Sequence, residues 1–339
     1  MAYADLRDKS VLVTGGGGFL GGAIVRRLVA EGARVRSFAR GRYPFLEGLG
    51  VEQVQGDLAD PGAVQDAARR IDTVFHVAAK PGVWGRYQDY HRPNVDGTAN
   101  VLQASRDQGV KQLVYTSSPS VVFNGRDMAG VDESVPYPDH WEAHYPRTKA
   151  LAEQLVREAG ALDLPTIALR PHLIWGPRDN HLVPRIIRRA RRLRRVGAGT
   201  NRVDTIYIDN AADAHLLAAT ALMRRPELSG RVYFISQDDP IVLWDMVDAI
   251  LAAADRPPVT RTISAPAARR VGAVMEWLYR TLHLPGEPPM TRFVAEELAT
   301  EHWFDISAAK NDLGYHPRVT TREGLEQLRK WLKKKGNIA

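Results

Sequence analysis

The first half of the chain switches repeatedly between two spacings of apolar residues. Short runs rich in Val, Ile and Phe predict strands over 10–13, 34–38, 51–55, 73–76, 112–115 and 166–170. Between them, apolar positions recur every three or four residues and predict helices over 21–31, 62–69, 93–107 and 145–159. Strands alternating with helices through short connections imply an α/β chain, a Rossmann-type doubly wound parallel sheet with right-handed crossovers. Past Pro177 the alternation gives way to Arg-rich, Pro-rich and helical stretches. The expected division is a sheet domain over 1–177, to which strands return from about 203–236, and a smaller, partly interleaved C-terminal substrate-binding region over 178–339. No repeat or low-complexity linker interrupts it.

In such a sheet, ligands sit at the carboxyl ends of the strands. The first strand, Val11-Leu12-Val13-Thr14, runs straight into Gly15-Gly16-Gly17-Gly18-Phe19-Leu20-Gly21 and then a helix, the context a dinucleotide site requires. Gly15 allows the tight turn, Gly18 lets backbone approach a pyrophosphate, and Gly21 lets helix pack on strand. The helix N-terminus presents free N–H groups and a positive dipole end to the phosphates. Strand two ends Ala39-Arg40, where an NAD site usually carries Asp or Glu; Arg40 can pair with a 2′-phosphate, so NADPH/NADP+ is expected over NADH. An ordinary surface arginine is the alternative reading. Asp57 and Leu58 can reach the adenine edge, and Ala78, Ala79 and Lys80 form a strand end beside the nicotinamide half.

Tyr145 and Lys149 are four apart on a predicted helix and so share a face, with Pro146 suited to its first turn. A neighbouring ammonium favours phenolate, so the Tyr145 pKa is expected below its ordinary value, making it a general acid for a ketone or base for the reverse reaction. The strand over 112–115 ends in Thr116-Ser117-Ser118, whose hydroxyls can share the charge developing on a substrate oxygen or simply cap a turn.

Composition narrows the class. With 339 residues and 44% hydrophobic content the chain can bury a full core. It has no cysteine, which excludes disulfides and fits a cytoplasmic location. No segment reads as a signal peptide or membrane span. The net charge of +7 suits anionic ligands, but no nucleic-acid motif accompanies it, and the ten histidines show no metal-ligand spacing.

Together these residues resemble the extended short-chain dehydrogenase/reductases along essentially the whole chain. The matching pieces are Thr14-Gly15 through Gly21, Asp57-Leu58, Ala78-Ala79, Asn94-Val95-x-Gly97-Thr98, Ser117-Ser118, Tyr145-x-x-x-Lys149 and Arg170-Pro171 with Trp175-Gly176-Pro177. The resemblance implies Ser118 as hydroxyl partner, Tyr145 as proton donor, Lys149 as tuner and ribose ligand, and Asn94 as a residue ordering the site. It also implies Gly17, Phe19, Leu20 and Pro171 as cofactor contacts. The second half resembles the 3β-hydroxysteroid dehydrogenase branch through the run from Val203 to His215, Leu313-Gly314-Tyr315-x-Pro317 and Glu323-Gly324-Leu325. Closer still are bacterial 2-alkyl-3-oxoalkanoate reductases, through Lys80-x-Gly82-x-Trp84-Gly85, Leu173 to Leu182 and Leu284 to Phe293.

That resemblance implies reduction of a long-chain 2-alkyl-3-oxo acid to the 3-hydroxy acid in olefin biosynthesis. It also implies a homodimer and assembly with a β-lactone synthetase and a β-lactone decarboxylase. Oxidation of a 3β-hydroxysteroid or sterol-4-carboxylate is the alternative. A scaffold that senses NADPH without turnover is a third, opposed by Ser118, Tyr145 and Lys149. On the substrate side, 271–284 reads as a helix with a broad apolar face: a core helix, an acyl lid or a membrane-surface contact. Seven arginines within 185–195 read as a solvated face, an acidic-partner dock, or the holder of a substrate carboxylate or cofactor phosphate. Trp84, His172, Trp175 and His181 flank motif strands and are expected near the pocket.

Overall fold

A computed structural model describes residues 3–336. Seven strands, β1 (Ser10–Thr14), β2 (Arg34–Ala39), β3 (Glu52–Gln55), β4 (Thr73–His76), β5 (Gln112–Thr116), β6 (Thr166–Pro171) and β7 (Arg231–Ile235), form one sheet. Their order is β7-β6-β5-β4-β1-β2-β3 with every pair parallel. The chain builds outward from β1 to β3, then restarts on the other side with β4. A crevice therefore opens between the carboxyl ends of β1 and β4.

The central strands β1, β4, β5 and β6 are buried along nearly their whole length because both faces are covered, whereas the edge strand β3 is half-exposed. Val11 and Val13 point into the core shared with α1 (Phe19–Ala30) and α5 (Ile208–Arg224). Leu12, Val74 and Leu113 point the other way, into the core under α2 (Pro61–Ala67), α3 (Gly97–Asp107) and α4 (His144–Leu162).

Two helix boundaries differ from expectation. Helix α1 begins at Phe19 rather than 21, because Gly18 donates to the Gly15 carbonyl at 2.9 Å and Gly22 donates to that of Gly18 at 2.9 Å, so the helix winds directly out of the loop. The helix expected over 93–107 instead starts at Tyr87 and passes through a π turn, Arg92–Asp96, before α3. The wide turn accommodates Pro93, which has no N–H to give an α-helical carbonyl. Asn94 is thus inside the rod, not at its start.

Of the stretch 203–236, only β7 enters the large sheet, a correction to the expected return of several strands. Helix α5 spans the sheet and delivers the chain to its far edge beside β6. Arg202–Val203 lies instead in a four-stranded sheet with Ile241–Val242, His302–Phe304 and Met128–Val131. Ile206–Tyr207 pairs with Ile174–Trp175. The helix α6 (Ala265–Thr281) buries only Ala268, Gly272 and Glu276, against the segment around Thr291 and Arg292. It is not a core helix, because its apolar stripe faces outward.

Candidate active site

Gly15 turns the chain at φ +70°, a conformation that disfavours side chains, and a Cβ on Gly21 would lie 2.2 Å from the Gly15 carbonyl oxygen. Helix and loop are in direct backbone contact. The Thr14 hydroxyl accepts from the N–H groups of Val77 and Ala78, both at 3.1 Å, and hydrogen-bonds His76 Nδ1 at 2.8 Å. This stitches the end of β1 to the end of β4 across the crevice and sets Ala78 against Gly15. Gly18 gives α1 no side-chain cap, whereas Asp60 caps α2 by accepting from Gly62 and Ala63. The first N–H groups of α1 are therefore left for an anionic ligand. A glycine cradle, an uncapped helix start and a switch-point crevice fit a nicotinamide dinucleotide.

The other expected cofactor residues divide. Phe19 and Leu20 form the first turn of α1. Arg40 is exposed just past β2 with no carboxylate partner among the described residues, and the Gly15 N–H, donating to the Phe38 carbonyl at 2.8 Å, holds that strand end beside the loop. Asp57 is exposed at the same edge, its carboxylate accepting from the Ala59 N–H at 3.0 Å. Leu58 is not free for a ligand: its side chain packs on Gly97 and its carbonyl accepts from Asn100 at 2.8 Å. Pro171 ends β6, buried opposite Ile235. Tyr43 was missed by sequence reasoning. Its ring lies across Gly17, where a Cβ would come within 2.1 Å of it.

Tyr145 is the second residue of α4, and Pro146 and Thr148 are buried behind it. The Ser118 hydroxyl faces the Tyr145 phenol, and its influence favours the phenolate. Ser118 also caps the turn Pro119–Val122, accepting from the Ser120 N–H at 3.2 Å. The cap reading of that hydroxyl therefore holds, and the same residue faces Tyr145. Ser117 is buried and its side chain points toward Glu153 instead. Asn94 accepts from the Lys80 N–H at 2.7 Å and donates to the Thr148 hydroxyl at 3.1 Å. It thereby ties the β4 loop to α4 between Tyr145 and Lys149.

The expected acidification of Tyr145 is overturned. Burial pushes its pKa up to about 12, with the facing Ser118 hydroxyl opposing and nearby Glu297 adding to the rise. Lys149 donates to the Tyr115 hydroxyl and the Thr116 carbonyl, each at 2.6 Å, with its ammonium 4.1 Å from the Tyr115 ring centroid. Burial lowers Lys149 to about 7, against the upward pull of Glu153. Spacing put Tyr145 and Lys149 on one face, but the long lysine arm reaches inward to β5. One turn further, Glu153 accepts from both Arg170 Nε at 3.0 Å and the Tyr137 hydroxyl at 2.6 Å. Burial alone would raise Glu153, yet Arg170 holds it below the ordinary carboxylate value.

Beside the start of α4, a cavity of about 590 Å³ is lined by Trp84, His144, Tyr279, Arg280 and Phe293 among others. Arg86 pairs with Asp89 at 2.9 Å and Arg292 with Glu276 at 2.9 Å. Among the described residues, Arg280 has no carboxylate partner; its guanidinium lies 5.7 Å from the Trp84 ring centroid. Of the four aromatic and histidine residues expected here, only Trp84 reaches the cavity. Trp175 is fully buried and donates to the Thr205 hydroxyl at 3.2 Å, His172 packs edge-on against His302 and Phe304, and His181 is exposed at the start of a basic helix.

A model of the 3-beta hydroxysteroid dehydrogenase/isomerase family matches residues 12–263. The chain belongs to that family. Among its relatives, a 2-alkyl-3-oxoalkanoate reductase of Stenotrophomonas maltophilia is 51% identical over 324 residues, 94% of this chain and 98% of that protein. One of Shewanella oneidensis is 50% identical over 327 residues, 94% of this chain and 84% of that protein. The solved structure of MoeE5 in complex with UDP-glucose and NAD superposes with a TM-score of 0.75 at 26% identity, covering 96% of this chain and 99% of that one. As a member of this NAD(P)-dependent family the chain is an oxidoreductase, and its Rossmann sheet is shared with structures that hold NAD.

Proposed function

We propose that this chain reduces a 2-alkyl-3-oxoalkanoic acid to the 2-alkyl-3-hydroxyalkanoic acid, using NADPH. The observation that carries the reading is the Tyr145 phenol facing the Ser118 hydroxyl, set between the dinucleotide crevice and a cavity whose Arg280 has no carboxylate partner among the described residues. Relatives at 50% and 51% identity named for that reaction support the substrate class.

NADPH, when bound, would supply the hydride that reduces the C3 carbonyl carbon. Ser118 and Tyr145 donate to the ketone oxygen, and Tyr145 passes its phenolic proton to that oxygen as negative charge develops there. A phenol pushed up to about 12 is fully protonated at neutral pH, the form a reductase needs, and an alkoxide is basic enough to take its proton. Asn94 positions the β4 loop and α4, and Lys149, donating to the Tyr115 hydroxyl and the Thr116 carbonyl, fixes the carboxyl end of β5 that leads into Ser118. Arg280 takes the substrate carboxylate, its position in the cavity and lack of a partner leaving it available. The glycine loop and the start of α1 hold the pyrophosphate, and Arg40 holds the 2′-phosphate that distinguishes NADPH from NADH.

The same reading places the protein in the cytoplasm as a homodimer in long-chain olefin synthesis, assembled with a β-lactone synthetase and a β-lactone decarboxylase. The decisive assay gives purified protein a 2-alkyl-3-oxo acid with NADPH or NADH and, separately, a 3β-hydroxysteroid or sterol-4-carboxylate with NADP+. NADPH oxidation dependent on the oxo acid supports the reading. Turnover of the steroid alone, or of neither substrate, contradicts it.

A further inference from the structure

Large exposed hydrophobic side chains are concentrated in one place. Of the seven among the described residues, five (Val271, Val274, Trp277, Leu282 and Leu284) fall within 271–284. Val271, Val274 and Trp277 recur every three residues and share one side of α6; Leu282 follows just past its end, and Leu284 lies at the rim of the cavity. Trp277 is 62% exposed and Val274 54% exposed. The same helix turns Tyr279 and Arg280 into the cavity beside Tyr145. One side of α6 thus borders the candidate active site and another is bare.

The arginine run lies alongside. At one end, Arg195 donates from its N–H to the Arg261 carbonyl at 2.8 Å and Gly197 to that of Ile263 at 2.9 Å, immediately before α6. At the other, Arg185 pairs with Glu287 at 3.3 Å and Arg189 donates to the Pro289 carbonyl at 3.3 Å, just beyond it. Between these clamps, Arg188, Arg191, Arg192 and Arg194 are exposed with no carboxylate partner among the described residues. Segments 181–200 and 264–286 together contain a single acidic residue, Glu276, which is buried and paired with Arg292.

We propose that α6 and the adjoining arginine run dock this protein on the surface of an anionic lipid bilayer. The apolar stripe enters the boundary between headgroups and acyl chains, and the arginines meet lipid phosphates. An exposed tryptophan flanked by aliphatic residues suits that boundary, where one edge of the ring is apolar and the other wet. The contact is peripheral, since no helix among the described residues is long and apolar enough to cross a membrane. A protein partner would need an acidic surface matched to four separate guanidinium groups beside an apolar helical stripe, whereas a fluid anionic bilayer adapts to them. Docking this way holds the cavity against the lipid, so that a chain-bearing acid can enter without crossing water. The proposal does not depend on which acid is reduced.

The test is co-sedimentation of the full chain with vesicles of phosphatidylcholine alone or with about 30 mol % phosphatidylglycerol. The wild type is expected to pellet with the anionic vesicles, to stay soluble with phosphatidylcholine, and to be released by about 1 M salt. The double variant V274E/W277E should bind at least about tenfold more weakly at unchanged melting temperature, and R191E/R192E/R194E should lose the preference for anionic lipid. Failure of the wild type to pellet with either vesicle overturns the proposal. So does undiminished binding by V274E/W277E, or a change in its oligomeric state by light scattering, which would make the stripe a protein interface.

Discussion

The ammonium of Lys149 donates to the hydroxyl of Tyr115 across 2.6 Å from a fully enclosed position. Burial holds this amine at about 7, below the ordinary 10.5 it regains on unfolding. As pH falls from about 10.5 toward 7, the unfolded chain takes up a proton that the folded chain refuses, so native stability is lost across that window and levels off below it. Lys149→Met removes the difference. Its stability relative to wild type should rise progressively as pH drops from 10 to 7, by up to about 4 kcal/mol, and stay constant below. Thermal melts of both proteins across that range check this. A pH-independent difference would mean that the amine is not depressed.

The loop contact gives a second expectation. A methyl at Gly21 would meet the Gly15 carbonyl at 2.2 Å, and backbone cannot step aside as a side chain can. Gly21→Ala should cost about 1–3 kcal/mol of stability and weaken dinucleotide binding in a fluorescence titration. Gly22→Ala is the control. Its methyl meets the Phe45 ring at 3.1 Å, which can move, so the loss should be smaller.

Much of this arrangement was legible beforehand, for identifiable reasons. The glycine loop after Thr14 and the Tyr145–Lys149 spacing are local signals. So is the apolar run through Val11, Leu12 and Val13, which marks a strand buried on both faces. Ligand partners of long side chains are not local. Nothing in the spacing of Tyr145 and Lys149 says that the lysine turns to Tyr115, although Tyr115 lies one residue from the motif-bearing Thr116. The stripe from Val271 to Leu284 has the same periodicity whether covered or bare, and only the packing of α6 through Gly272 onto Thr291 decides. Similarly, the π turn that brings Asn94 inward answers to Pro93 and to contacts with Lys80 and Thr148, two of which are distant in sequence.

Cofactor choice is assigned to Arg40. Arg40→Ala should raise KM for NADPH by about 10- to 100-fold, the worth of a charged hydrogen bond or two, and leave KM for NADH within about twofold. Initial rates with each cofactor decide it. Equal changes for both would leave Arg40 as an ordinary surface residue.

Arg280 is assigned the substrate carboxylate. Arg280→Ala should raise KM for a 2-alkyl-3-oxo acid by about tenfold or more, with little effect on the corresponding methyl ester, which lacks the charge. Parallel kinetics on acid and ester separate this from a general loss of cavity shape, which would impair both.

The proposed chemistry turns on the Tyr145 phenol protonating the reduced ketone. In one preparation of Tyr145→Phe, kcat for the oxo acid and Kd for NADPH should be measured together. The kcat should fall about 10²- to 10⁴-fold, with NADPH affinity changed by no more than about twofold. Turnover close to wild type with the hydroxyl removed would contradict it.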